Sequence, residues 1–91
     1  MQGFIYLQQL DVSRNKLISL NVLNSLLSLV ELRVANNLIV SLDGLQSLVN
    51  IGLLDVSGNK VGDQAELLRL KQNPNLKELV LRGNPLAEGK V

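Results

Sequence analysis

Ninety-one residues leave room for one domain. Nine basic and eight acidic side chains, spread without a charge run, give a net charge of +1 that steers the chain toward neither nucleic acid nor an anionic membrane. The absence of histidine and cysteine removes Ser-His-Asp and Cys-His catalysis, the usual zinc sites and any disulfide, and with Phe4 and Tyr6 as its only aromatics the chain has no base-stacking platform.

The start, MQGFIYLQQL, lacks the basic region and long apolar core of a signal peptide. No apolar run approaches the roughly 20 residues that a membrane span needs. From Leu7 the stretch LQQLDVSRNKL puts apolar residues at positions 1, 4, 6 and 11, and an asparagine, Asn15, at position 9. Positions 1 and 4 share a helix face, whereas 4 and 6 alternate as on a strand, so no single element explains the spacing. The pattern returns. LVELRVANNLI carries Leu29, Leu32, Val34, Asn37 and Ile39 in the same slots; IGLLDVSGNKV carries Ile51, Leu54, Val56, Asn59 and Val61; LKELVLRGNPL carries Leu76, Leu79, Leu81, Asn84 and Leu86. The asparagines lie 22, 22 and 25 residues apart. Self-similarity at this period marks a solenoid, in which each unit touches only its neighbours. The register divides the chain into a partial repeat 1–6, with Met1 and Phe4 on its last two apolar slots, repeats 7–28, 29–50 and 51–75, and a partial last repeat 76–91.

Within each unit the x-L-x-L-x segment predicts a short strand with its two inner apolar residues pointing in and its flanking residues pointing out. The strands are Gln9 to Ser13, Glu31 to Ala35, Leu53 to Ser57 and Glu78 to Arg82, stacked in parallel about 4.8 Å apart. Asn15, Asn37, Asn59 and Asn84 follow the strands where the chain turns away. An asparagine side chain both donates and accepts, so the four are expected to form a structural ladder that pairs backbone groups at the turn. Leu20, Leu23 and Leu26, and then Leu42, Leu45 and Leu48, follow at three-residue steps that suit 3₁₀ turns. The third repeat differs. GDQAELLRLKQNPN adds three residues before Leu76; Asp63 reads as an N-cap, Glu66 as its capping-box partner, and Asn73-Pro74 as the stop. An α-helix is predicted over Gln64–Gln72.

Parallel strands in register line up the outward residues as rows: Gln9, Glu31, Leu53, Glu78; then Asp11, Arg33, Asp55, Val80; then Ser13, Ala35, Ser57, Arg82. Arg33 falls between Asp11 and Asp55, which predicts an exposed cross-strand salt ladder worth roughly 0–1 kcal/mol per pair. Ser13 is expected to be replaceable at little cost. Leu53 and Val80, with Ala35, make the apolar spot of this face, so the candidate partner-binding residues are Arg33, Leu53, Asp55, Val80 and Arg82. No catalytic, metal or cofactor constellation is found. Asp11 and Asp55 sit two strands apart on an open face with Arg33 between them, and Ser57 to Lys60 falls on repeat-turn positions rather than in a phosphate loop.

The unit L-x-x-L-x-L-x-x-N-x-L resembles the leucine-rich repeat. Its 22-residue form is similar to the class typified by the regulatory subunit of protein phosphatase 1, the spliceosomal A-prime protein and the leucine-rich light chain of outer-arm dynein. The resemblance implies an α/β leucine-rich repeat solenoid, with a curved parallel sheet on its concave side and short turns and one helix on its convex side. It also implies a non-enzymatic module that binds a protein partner by its concave face, with no cofactor. That face has no aromatic here, so the class does not pass on its particular partners. Gly-Asn-Pro-Leu at 83–86 often marks the final repeat in this class; with Met1 and Phe4 it leads to the expectation of a piece of a longer protein, able to self-associate through uncapped ends. The missing cysteines and glycosylation acceptors point to the cytoplasm or cytoskeleton, including ciliary or centrosomal assemblies. The rival readings are an architectural segment of such an assembly, a regulatory repeat domain of an enzyme complex, and a fragment of an extracellular receptor.

Overall fold

The computed structural model describes residues 7–88. Met1 and Phe4, with the partial repeat 1–6, lie outside the described residues. Strands β1 (Gln9–Asp11), β2 (Glu31–Arg33), β3 (Leu53–Asp55) and β4 (Glu78–Val80) form one open parallel sheet in the order β1-β2-β3-β4. Gln9, Glu31, Leu53 and Glu78 share a rung position, as do Leu10, Leu32, Leu54 and Leu79, and then Asp11, Arg33, Asp55 and Val80. The turns that return the chain to the next strand are 3₁₀ segments at Asn21–Leu23, Leu45–Ser47 and Gln64–Gln72, and Pro85–Glu88 follows β4.

Each strand is shorter than the five residues read from the pattern. The reason is local. After β1 the Ser13 N–H donates to Asp11 Oδ1 at 3.0 Å, and after β3 the Ser57 N–H donates to Asp55 Oδ1 at 3.0 Å. After β2 the Ala35 N–H donates instead to the Ser13 hydroxyl at 3.1 Å. After β2 and β3 a side chain thus takes the amide that would have continued the ladder to the preceding strand. The next residue, at position 8 of each unit, is left-handed: Arg14 (φ 62), Asn36 (φ 58), Gly58 (φ 69) and Gly83 (φ 78). At Gly58 a Cβ would also meet Asn36 Oδ1, so a side chain there would have to displace the Asn36 carboxamide as well as adopt a positive φ.

The core fills the space behind the sheet with a repeating set of slots. Leu32 and Leu54, Val34 and Val56, Ile39 and Val61, Leu20 and Leu42, and Leu26 and Leu48 are fully buried in successive layers. Burying each such side chain contributes about 1.5–3 kcal/mol. Toward either end of the solenoid, Leu7, Leu10, Leu79 and Leu81 are only partly buried against it.

Three of the four repeat asparagines are buried and bond across repeats. Asn37 accepts the Leu17 N–H at 3.0 Å, Asn59 the Ile39 N–H at 3.0 Å and Asn84 the Val61 N–H at 3.0 Å. Their amide nitrogens donate both back and within the unit: Asn59 to Val34 O (3.0 Å) and Val56 O (2.8 Å), Asn84 to Val56 O (2.8 Å) and Leu81 O (2.9 Å). Asn15 is exposed and donates to Val12 O and Ser13 O of its own unit. A shallower pair works the opposite edge, Asn50 donating to Leu27 O at 3.3 Å and Asn75 to Val49 O at 3.0 Å.

The convex segment Gln64–Gln72 is a nine-residue 3₁₀ helix and not the α-helix predicted. Its inward residues explain the difference. Leu67, Leu70 and Asn73 recur every third residue, and side chains at that step eclipse in a 3₁₀ helix but drift apart in an α-helix. Asn73 occupies the slot filled by Leu26 and Leu48 in earlier units. Leu76 N–H donates to Asn73 O just as Leu29 and Ile51 donate to those leucines. Buried to 3% exposure, Asn73 donates to Leu45 O (3.1 Å) and Leu48 O (3.0 Å). The capping box is half made: Asp63 accepts the Ala65 N–H at 2.9 Å, but Glu66 turns away. It accepts from the Leu42 N–H (2.7 Å), the Ser41 hydroxyl (2.9 Å) and Arg69 Nε (2.8 Å), fastening the helix to the preceding unit.

Two outcomes follow from this bonding. Asn59→Ala leaves the buried Ile39 N–H unpaired and removes one of the two donors from each of the Val34 and Val56 carbonyls, and it lowers stability by about 1–3 kcal/mol in urea melts; Asn15→Ala, at an exposed site, costs about 0.5 kcal/mol. Equal losses would refute a load carried by the buried rungs. Burial pulls the Glu66 carboxyl upward, but the Leu42 amide, the Ser41 hydroxyl and Arg69 outweigh it and hold it below its ordinary 4.5. A carboxylate lowered in the folded state adds stability above its unfolded pKa and loses it as pH falls through the folded one. The melting temperature therefore drops as pH falls below about 4.5, and Glu66→Gln flattens that drop while lowering stability at neutral pH.

Candidate protein-interaction face

Alternation along the strands decides which residues reach the concave face. In β2, β3 and β4 the central leucines are turned into the core, so their neighbours point outward. Asp55 stands opposite Arg33 on one side and Val80 on the other, and Leu53 lies between Glu31 and Glu78 one step earlier. Arg33, Leu53, Asp55 and Val80 are thus brought together, all half-buried. Arg82 lies past the end of β4, exposed, its carbonyl accepting the Gly58 N–H at 3.0 Å. Leu53 and Val80 are diagonal neighbours on adjacent strands. Neither belongs to the hydrophobic core cluster.

The salt ladder through Arg33 is not formed. Arg33 pairs with Glu31 on its own strand at 3.4 Å, with 42% and 36% of the two side chains exposed. Both aspartates are already bracketed by serines. Asp55 Oδ1 takes the Ser57 amide at 3.0 Å and the Ser57 hydroxyl at 2.7 Å. At Asp11 the Ser13 hydroxyl and then the Ser13 amide hold the carboxyl below its usual range, against some burial; Arg33 and Arg14 add smaller contributions from their charge. Ser13 is accordingly not a passive surface residue, because its hydroxyl also receives the Ala35 amide.

At the strand ends Asp11, Arg33 and Asp55 join Ser13, Arg14, Ala35 and Asn36 around an open hollow of about 500 Å³. Its walls are polar and charged and it is not enclosed, so it suits a partner's polar side chain better than a small apolar ligand. Arg14 and Asn36 were not singled out by the sequence pattern. The signal was present: both align with Gly58 and Gly83, the residues that mark a left-handed position.

The repeat, the open parallel sheet and the asparagine rungs define a leucine-rich repeat fold. Comparison with known proteins agrees. The family model described as Leucine Rich repeat matches residues 72–87. A chain in the crystal structure of the SNF/U2A' complex of Drosophila melanogaster is similar over 97% of this chain and 52% of its own length, with 27% identity and a TM-score of 0.85. The internalin inlF of Listeria monocytogenes is similar over 86% of this chain and 23% of its own, with 26% identity and a TM-score of 0.78. The chain therefore spans about half the length of the first of these and a quarter of the second. No curated protein matches it in sequence.

The electrostatics of the face are open to direct measurement. Arg33→Ala changes stability by less than about 1 kcal/mol, since it removes one half-exposed pair. Followed by NMR, Ser13→Ala raises the titration midpoint of Asp11 further than Arg33→Ala does. The reverse order would mean that Arg33, and not the serine bracket, governs this carboxylate.

Proposed function

We propose that this segment is a non-enzymatic protein-interaction module that binds a protein partner on its concave face. The observation carrying the reading is the pair Leu53 and Val80, half-buried on adjacent strands beside Arg33 and Asp55, with no place in the core. Aliphatic side chains in this setting are anchors that a partner can finish burying, while Arg33, Asp55 and Arg82 around them set orientation and rate. A structurally similar chain comes from a complex of SNF with U2A', which supports a protein as the kind of partner. With neither cysteine nor an Asn-x-Ser sequence, the chain has the composition of a module working in the cytoplasm or on the cytoskeleton.

The convex helix is the less favoured surface. Glu66 and Arg69 are spent on Ser41, Leu42 and Asp43, which leaves little of that network for a partner. Affinity capture by the parent protein, followed by titration of the purified partner, tests the reading. Leu53→Asp is expected to weaken binding by at least about 1–2 kcal/mol while shifting the melt only slightly. Full affinity in Leu53→Asp, together with a loss in Arg69→Ala, would move the interface to the convex side.

A further inference from the structure

The flank where the chain leaves the strands carries a second surface, independent of the concave face. Residues 16–18, 38–40 and 60–62 run side by side: the Leu38 N–H donates to Leu17 O at 2.8 Å and the Lys60 N–H to Ile39 O at 2.8 Å. Leu17, Ile39 and Val61 turn into the core, so the residues on either side of them face outward. They form two rows. One is Lys16, Leu38 and Lys60; the other is Ile18, Val40 and Gly62. Ile18 is 68% exposed, Val40 57% and Leu38 43%. Single exposed aliphatics are ordinary, but three on adjoining rungs make a continuous stripe.

The charges around the stripe have one sign. Lys16 and Lys60, which flank Leu38 in its row, are exposed, and neither makes an ion pair among the described residues. Residues 14–18, 36–40, 58–62 and 82–87 contain no acidic side chain. Of the carboxylates that follow, Asp43 takes Gln46, Asn21 and Arg69, and Asp63 caps the long 3₁₀ helix. A protein that is nearly neutral as a whole thus gathers unpartnered cations along one apolar edge.

We propose that this flank docks an acidic, aliphatic peptide segment of a partner protein. The segment lays its apolar side chains over Ile18, Leu38 and Val40 and sets carboxylates on Lys16 and Lys60. Those two lysines are two rungs apart, roughly 10 Å, which an extended peptide spans in about three residues. Lysine ammonium groups on flexible stems reach carboxylates without demanding a fixed geometry. An anionic bilayer fits less well, because a net charge of +1 steers weakly and Asp63 at the margin would face the headgroups.

The test is an NMR titration of the isotope-labelled chain with a short synthetic peptide of glutamates flanking an isoleucine-leucine pair. Controls are the same peptide with glutamines and vesicles containing phosphatidylserine. Amide shifts are expected at Lys16, Ile18, Leu38, Val40 and Lys60, with affinity that falls as salt is raised. Val40→Ser, and separately the paired exchange Lys16→Glu with Lys60→Glu, each weaken binding at least about tenfold, a change of 1.4 kcal/mol. Leu53→Asp leaves this binding intact, which separates the flank from the concave face. Both variants change only exposed side chains, and matching melts confirm that they fold. The proposal is overturned if the glutamate peptide does not bind, if the glutamine peptide binds equally, if Val40→Ser or the lysine exchange has no effect, if the shifts fall on Leu53 and Val80 instead, or if vesicles bind the same residues more strongly.

Discussion

Where the chain leaves each strand, the carbonyls of Val34 and Val56 face inward with no adjoining strand amide to meet them. A buried carbonyl left in that state costs about 1–3 kcal/mol. The carboxamides of Asn37, Asn59 and Asn84 remove the cost in two units at once, donating to carbonyls and accepting a neighbour's N–H with the same side chain. The rest of the solenoid hangs on this rung. It holds position 11 of each unit extended, and that in turn buries Ile39 and Val61 and pushes Lys16, Ile18, Leu38, Val40 and Lys60 outward. At Pro85, which has no N–H, the pattern changes: the Leu86 amide takes the Val61 carbonyl at 2.9 Å in its place.

Two surfaces with different chemistry emerge from the same few residues. On the concave face, Asp11 and Asp55 are satisfied by the serines two residues on, and Arg33 is left with one long contact to Glu31. That arrangement holds three carboxylates to one guanidinium but is locally closed, so its apolar attraction for a partner rests on Leu53 and Val80. Around the corner, past the left-handed residues Arg14 and Asn36, cations have no carboxylates beside them. The turn at position 8 is therefore a chemical boundary as well as a bend.

The convex side shows how an insertion is absorbed. Three additional residues in the third unit lengthen its turn without breaking the three-residue step, because a 3₁₀ helix of nine residues advances about 2.0 Å per residue and keeps every third side chain inward. Asn73 ends it in a leucine slot, exchanging apolar burial for two bonds to the carbonyls of Leu45 and Leu48. Glu66 supplies the anchor in the other direction, reaching back to Ser41 and Leu42. A helix attached at both ends to the preceding unit cannot swing freely.

The repeat period alone determined the order and register of the strands and the side of each that faces inward. Whether a residue such as Leu54 or Leu53 is buried depends only on its place in a unit, and local alternation settles that. The tertiary structure decided what the polar side chains do. Sequence spacing puts Arg33 between two aspartates, yet serine amides two residues away reach those carboxylates first. A capping-box pattern assigns Glu66 to its own helix, yet an amide from the preceding unit lies closer. Asn73 looks like the end of a turn and is buried like a leucine. These outcomes turn on competition between partners, some of them more than twenty residues apart in the chain. A hydrogen bond depends steeply on distance and angle, and only the folded geometry ranks the competitors.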